Sequence, residues 1–117
     1  MENQLTRKEE QIMLILWKLR RAFVKDIISQ LPDPKPPYNT ISSVVRILVQ
    51  KGFVSYKTYG KTHEYFPLVS ITTYRKTALN SFISHFYENS NEQFIASLLS
   101  DLDLSREELE KFKSSSS

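Results

Sequence analysis

A chain of 117 residues, 40% hydrophobic and 25% charged with only two glycines, has the make-up of one small domain, or one domain with a short appended piece, and not of a disordered segment. It has no cysteine, no run of about 18 apolar residues and a polar start, MENQLTRKEEQ, so the sequence excludes disulfides, thiolate sites, membrane insertion and a signal peptide, and fits a reducing, cytoplasmic setting. The net charge of +3 is unevenly spread: residues 1–68 carry 11 Lys/Arg against 6 Asp/Glu, and residues 69–117 carry 5 against 7. A basic front half and an acidic back half suggest a nucleic-acid-facing part and a part with another task.

Thr6-Arg-Lys-Glu9 reads as a capping box, in which the Thr6 hydroxyl accepts from the Glu9 N–H while the Glu9 carboxylate reaches back. It opens a first helix to about Arg20. Ile12, Met13, Leu16, Trp17 and Leu19 form the packed side of that helix, and Leu14 and Ile15 widen the stripe, which is the pattern of a central core helix. Val24 to Leu31 reads as a second, short helix turned inward through Ile27, Ile28 and Leu31. The prolines of Pro32-Asp-Pro-Lys-Pro-Pro37 lack backbone donors and restrict the residues before them, so this stretch is a stiff connector. A third helix runs from Tyr38 to about Lys51, with Gly52 as its C-cap. Phe53–Tyr59 and Thr62–Phe66 then read as two strands around a tight Gly60-Lys61 turn, closed by Pro67.

The third helix has two unlike faces. Ile41, Val44, Val45 and Leu48 form an apolar stripe, whereas Asn39, Thr40, Ser42, Ser43, Arg46 and Gln50 form a hydrogen-bonding side without a carboxylate. DNA repels carboxylates and rewards donors, and readers of the major groove present Arg, Asn, Gln, Ser and Thr on one helix. Lys57, Lys61, Thr62 and His63 lie on or beside the hairpin, where they suit phosphates or a minor groove. The order helix, helix, helix, hairpin is that of a helix-turn-helix with a β wing, here over residues 1–69. A protein–protein adaptor of the same fold is the other reading, and salt-insensitive binding would mark it. Catalysis has little to stand on: His63 and His85 lack a paired nucleophile or metal-ligand spacing, Asp101 and Asp103 flank Leu102 in a loop pattern, and no phosphate loop is present. No metal or cofactor is expected.

The back half is helical. Ile71, Tyr74, Ala78, Phe82 and Phe86 line one stripe of a long helix, and Leu79, Ile83 and Tyr87 line the adjoining one. Asn89-Ser-Asn91 breaks it. Phe94, Ile95, Leu98 and Leu99 mark another amphipathic helix, with Leu102 and Leu104 beyond it, and Ser105-Arg-Glu-Glu108 is a second capping box opening a last helix through Leu109 and Phe112. An extension this short makes no large core alone, so its apolar residues are expected to meet a second copy. Residues 70–113 therefore read as a helical dimerisation region, and the serines of 114–117 as a mobile tail.

The segments LTRKEEQIMLILWKLRRAFVKDII and NTISSVVRILVQKGFVSYKTYGKTHEYFPLVS resemble the penicillinase-repressor family of bacterial winged-helix regulators, also called the BlaI/MecI/CopY type. The resemblance rests on Leu5-Thr6, Glu9, Trp17, Thr40-Ile41, Leu48, Lys51-Gly52, Gly60-Lys61 and Tyr65-Phe66-Pro67, and covers essentially the whole chain. It implies a mainly α fold with a small β-hairpin. It also implies a homodimeric repressor on inverted-repeat operators, often with TACA and TGTA half-sites, near β-lactam-resistance or related genes. In such regulators a membrane sensor-protease pathway relieves repression by cutting the back half. Two departures stand out. Ile47 replaces the arginine usual before the final leucine of the recognition helix, and the Asn-Phe bond often cut in the β-lactam regulators has no match, Ser97-Leu98 occupying that region. The cysteine motifs of copper-responsive members are absent.

Overall fold

The computed structural model describes residues 5–102 and 105–116, with the side chains of 114–116 left aside. Its elements in chain order are α1 (Arg7–Leu19), α2 (Val24–Ser29), α3 (Tyr38–Gln50), β1 (Val54–Tyr59), β2 (Thr62–Pro67), α4 (Ile71–Phe86), α5 (Asn91–Asp101) and α6 (Arg106–Ser116). The chain divides into two compact units, one ending at Thr77 and one beginning at Ala78.

Local chemistry fixes the helix starts of the first unit. At α1 the Glu9 N–H donates to Thr6 Oγ1 at 3.1 Å, and the Thr6 N–H donates to Glu9 Oε1 at 2.9 Å. At α2 the Phe23 N–H donates to Asp26 Oδ2 at 2.9 Å, so an acid inside the first turn satisfies a donor that Phe23 itself cannot cap. The α3 helix begins on Pro37, which supplies no side-chain acceptor. The positive φ of 85° at Gly52 turns the chain out of α3, and that of 63° at Gly60 makes the two-residue hairpin turn.

The core follows from the apolar spacing. Ile12, Met13 and Leu16 of α1, Val24 and Ile27 of α2, and Ile41, Val45 and Leu48 of α3 close around Leu31, Phe53, Val54 and Tyr65. Each large aliphatic side chain so buried contributes about 1.5–3 kcal/mol. The strands pair antiparallel with Tyr56 opposite Tyr65 and Thr58 opposite His63. Ala22 adds an isolated bridge to Tyr65, with N–H···O distances of 2.9 and 2.8 Å in the two directions. That bridge extends the hairpin by one residue and was not legible in the sequence. Leu14, expected to widen the core stripe, is instead 56% exposed, because the packed arc of α1 is centred on Ile12, Met13 and Leu16. The second helix also ends earlier than Leu31, at Ser29.

Glu9 is the one buried charged side chain in the described residues, at 6% exposure. Burial pushes its carboxyl up, but hydrogen bonds from Lys51 and Thr6 outweigh that and hold it below the usual carboxylate range. Lys51 Nζ lies 2.7 Å from Glu9 Oε1, which ties the end of α3 to the start of α1.

The expected division at 69/70 differs from the observed one at 77/78, and the reason is the first turns of α4. Ser70 caps the helix by accepting from the Thr73 N–H at 3.0 Å. Tyr74, expected on a dimerisation stripe, packs on the first unit instead. Its ring centroid is 5.7 Å from Trp17 and 5.9 Å from Phe53, and its hydroxyl donates to Glu10 Oε2 at 2.8 Å. Burial and the Glu10 carboxylate push the Tyr74 hydroxyl up to about 12. The Trp17 indole N–H donates to the Val69 carbonyl at 2.8 Å, holding the residues ahead of α4.

In the second unit, Phe82, Tyr87 and Phe94 form an aromatic cluster with centroids 5.4–6.1 Å apart, joining α4 to α5. Ile83 is buried there. Glu88 and Asn89 turn the chain with φ of 49° and 64°, and Ser90 caps α5 by accepting from the Gln93 N–H. The Ser105–Glu108 capping box forms as the spacing predicts, at 2.9 and 3.1 Å. Of the serines 114–117 read as a tail, the first three fall within α6, which runs to Ser116, and Ser117 lies outside the described residues. Asp103 and Leu104 also lie outside them. No helix among the described residues is long and apolar enough to cross a membrane.

Replacing Lys51 with methionine removes the charge partner of a buried carboxylate and should lower stability by about 1–3 kcal/mol at neutral pH. Because the folded-state pKa of Glu9 lies below its ordinary value of 4.5, the contribution is present above that value and is lost as pH falls through the lowered one. Urea titrations at neutral pH and near pH 3 should therefore show a large gap between the wild type and Lys51→Met, then a much smaller one.

Candidate nucleic-acid interface

The core side of α3 is occupied by Ile41, Val45 and Leu48, and helical spacing turns the opposite side to solvent. Asn39, Thr40, Ser43, Arg46 and Gln50 are all exposed there. Ser42 is half-buried at the edge of this face and accepts from Arg46 Nη2 at 3.2 Å, an i, i+4 contact that steadies the guanidinium along the helix. The first turn of α3 contains no acid. Its N–H groups and dipole thus present a positive end with neither a capping side chain nor a carboxylate to offset it. An anion is the natural complement.

The wing carries its charges on two different surfaces. Lys57 is exposed, its Nζ 5.4 Å from the centroid of Tyr59, and Tyr59 in turn meets Phe23 at 5.9 Å. Lys61 is exposed at the turn. Thr62 is exposed as well, and its hydroxyl donates to the Tyr59 carbonyl at 3.0 Å, which fixes the hairpin end. His63, grouped with them in the sequence, is less available. Strand alternation sets it on the side of Tyr56 and Tyr65, with ring centroids 4.3 and 6.0 Å away, and Nδ1 is 3.2 Å from Thr58 Oγ1. It is half-buried among aromatics rather than projecting like Lys57. Burial is the first cause that pushes the Tyr65 hydroxyl up from its ordinary range.

Between the start of α2, the start of α3 and the start of β2 next to the hairpin turn lies a cleft of about 230 Å³, lined by Phe23, Val24, Lys25, Tyr38, Thr62 and His63. The sequence singled out Thr62 and His63 but not Lys25 or Tyr38. Lys25 follows the N-terminus of α2 and Tyr38 opens α3, so both share the side on which the wing sits. Only the tertiary arrangement assembles them. Lys25, Tyr38, Thr62 and His63 thus line one cleft, with the Asp26 carboxylate on the N–H of Phe23 beside it and Glu64 facing Lys57 across the strand pair.

The residues expected to dimerise fall into two groups. Tyr74 belongs to the first unit, and Ile71 beside it is half-buried. Ala78, Phe82, Phe86, Ile95, Leu99 and Leu102 are exposed, with Phe86 at 64%, while Phe94 and Leu98 are half-buried. The Ser97-Leu98 bond lies inside α5, where the Ser97 hydroxyl accepts from Tyr87 Oη at 2.9 Å and donates to Asp101 Oδ2 at 2.8 Å. Among the described residues no group of His, Cys, Asp and Glu is placed to hold a metal ion.

The family model described as the penicillinase repressor matches residues 5–116. The methicillin resistance regulatory protein MecI of Staphylococcus aureus (strain N315) is 24% identical over 111 residues, covering 94% of this chain and 90% of that protein. The penicillinase repressor of Bacillus licheniformis is 24% identical over 111 residues, covering 91% of this chain and 84% of that protein. Among solved structures, one titled "CopR Repressor Structure" aligns with 57% of this chain and 99% of that chain at 26% identity and a TM-score of 0.48. With a family model spanning nearly its whole length, and a surface of donors and cations set on a helix-turn-helix with a wing, the chain belongs to the penicillinase repressor family of DNA-binding transcriptional repressors.

Proposed function

We propose that the protein is a homodimeric repressor that binds double-stranded DNA at an inverted-repeat operator, with α3 in the major groove and the wing along the backbone. One observation carries the reading. A helix held in the core by Ile41, Val45 and Leu48 turns outward a face of Asn39, Thr40, Ser43, Arg46 and Gln50, with no carboxylate and an uncapped N-terminus. Arg46 suits a guanine edge, Asn39 and Gln50 suit adenine, and the two serines are short enough for close approach. Lys57 and Lys61 supply phosphate contacts, and Lys25 and Tyr38 extend that contact to the cleft.

The apolar side chains left exposed on α4 and α5 support dimerisation through the back half. Two copies of α3 then match half-sites about one DNA turn apart, or a small multiple of it. The names of the relatives support β-lactam resistance or related genes as the regulated set, and a cytoplasmic setting accords with that role. The reading includes a sensor-protease pathway that relieves repression in the back half. At Ser97-Leu98 a cut requires local unwinding of α5, because loops and extended segments are the ordinary sites of nicking.

Selection from a random duplex pool at low salt should enrich an inverted repeat, and the affinity for it should fall steeply and log-linearly with salt. No enrichment by the folded protein would point to the adaptor reading. Arg46→Ala should weaken operator binding by about 1–3 kcal/mol per half-site, and Ser43→Glu should abolish it, with the oligomeric state unchanged in both. By contrast, Phe86→Asp or Leu98→Asp should yield monomers by sedimentation, with DNA binding weakened; an intact dimer in both variants would move the interface away from these residues.

A further inference from the structure

The outward face of α3 contains one side chain that its donor chemistry does not explain. Of the six aliphatic residues of this helix, Ile41, Val45 and Leu48 are fully buried, and Val44 and Val49 are partly buried against the core. Ile47 does neither. It is 40% exposed and stands outside the core cluster. Helical spacing sets it one turn beyond Ser43 and two turns beyond Thr40, next to Arg46, on the side of the polar residues.

A β-branched residue is a mediocre helix former, and in water its exposed area is unfavourable, so nothing in the folded monomer accounts for it. Single exposed aliphatics are common on protein surfaces. This one, however, lies within a face whose other members all donate or accept hydrogen bonds. In the major groove every base-edge feature is a donor or an acceptor except one, the 5-methyl group of thymine. An isoleucine flanked by short side chains, Ser43 and Thr40, can approach that methyl without competing for its neighbours' hydrogen bonds.

We propose that Ile47 reads a thymine 5-methyl group in each operator half-site, an assignment that rests on the DNA-binding reading above. The contact is apolar and specific: it favours thymine over cytosine and over uracil, which keeps the same hydrogen-bonding edge but lacks the methyl. Arg46 and Ile47 then divide the work, the guanidinium selecting by hydrogen bonds and the isoleucine by burial of one methyl.

The test replaces each thymine of the selected operator, one at a time, with uracil, and measures the affinity of the wild type and of Ile47→Ala. One position per half-site should cost the wild type about fourfold, the scale of one buried methyl. At that position Ile47→Ala should bind thymine and uracil equally, while responses at all other positions stay as in the wild type. Melting temperature and dimerisation should be unchanged, since Ile47 lies off the core. Ile47→Val, which keeps a branched methyl pair, should retain part of the preference. Sequence-selective binding by the wild type that ignores every uracil substitution overturns the assignment alone, as does a preference that persists in Ile47→Ala. Failure of the wild type to select any duplex overturns it together with the repressor reading.

Discussion

A carboxylate taken out of water must be neutralised where it sits, and Glu9 imposes that constraint on the first unit. Its two tasks are separate. Through the backbone of Thr6 it starts α1, and through Lys51 it holds the end of α3. The same ion pair therefore sets the beginning of one core helix against the finish of another. Between those ends, Ile41, Val45 and Leu48 lock the roll of α3 about its axis. With both ends and roll fixed, the fold holds in place the backbone of the exposed side that carries Ser43, Arg46 and Ile47, which lowers the ordering cost of any binding there.

The wing is fixed by contacts of a different kind. Tyr65 sits in the core and bridges to Ala22, while Tyr56 packs against it at a tilt and His63 meets it edge-on, so the hairpin is anchored along its base and along one surface. Phe23 and Tyr59 brace it from the start of α2. That leaves the other surface and the tip for Lys57 and Lys61. Rigid placement at the base and solvated cations at the tip suit phosphate contacts, which fix register without reading sequence.

Much of this was legible in the sequence because it depends on near neighbours. Both Thr6–Glu9 and Ser105–Glu108 boxes, the three front helices, the Gly60-Lys61 turn and the division of α3 into two faces follow from spacings of four residues or fewer. What escaped depends on residues far apart in the chain. Tyr74 looked like one more member of an apolar stripe, and only its bond to Glu10, 64 positions away, shows that the first turns of α4 belong to the front unit. The strand bridge at Ala22 needs Tyr65 as its partner. Leu14 was misjudged for a related reason: periodicity gives the existence of a face but not the width of the arc that the neighbours cover. The exposed back-half residues Phe86, Ile95, Leu99 and Leu102 were correctly seen as apolar, though their pairing with a second copy stays a proposal.

Trp17 has a consequence for how the molecule can be watched. It is the sole tryptophan of the chain, and its indole is held by the Val69 carbonyl and faces the ring of Tyr74. Its emission therefore originates at the seam where the segment after the wing joins the front helices. Loosening of that seam changes the colour and quenching of the fluorescence, whereas fraying of α5 or α6, which contain no indole, leaves it dark to the observer. The protein thus carries a native optical probe that distinguishes detachment of the first turns of α4 from events in the back half, without a label.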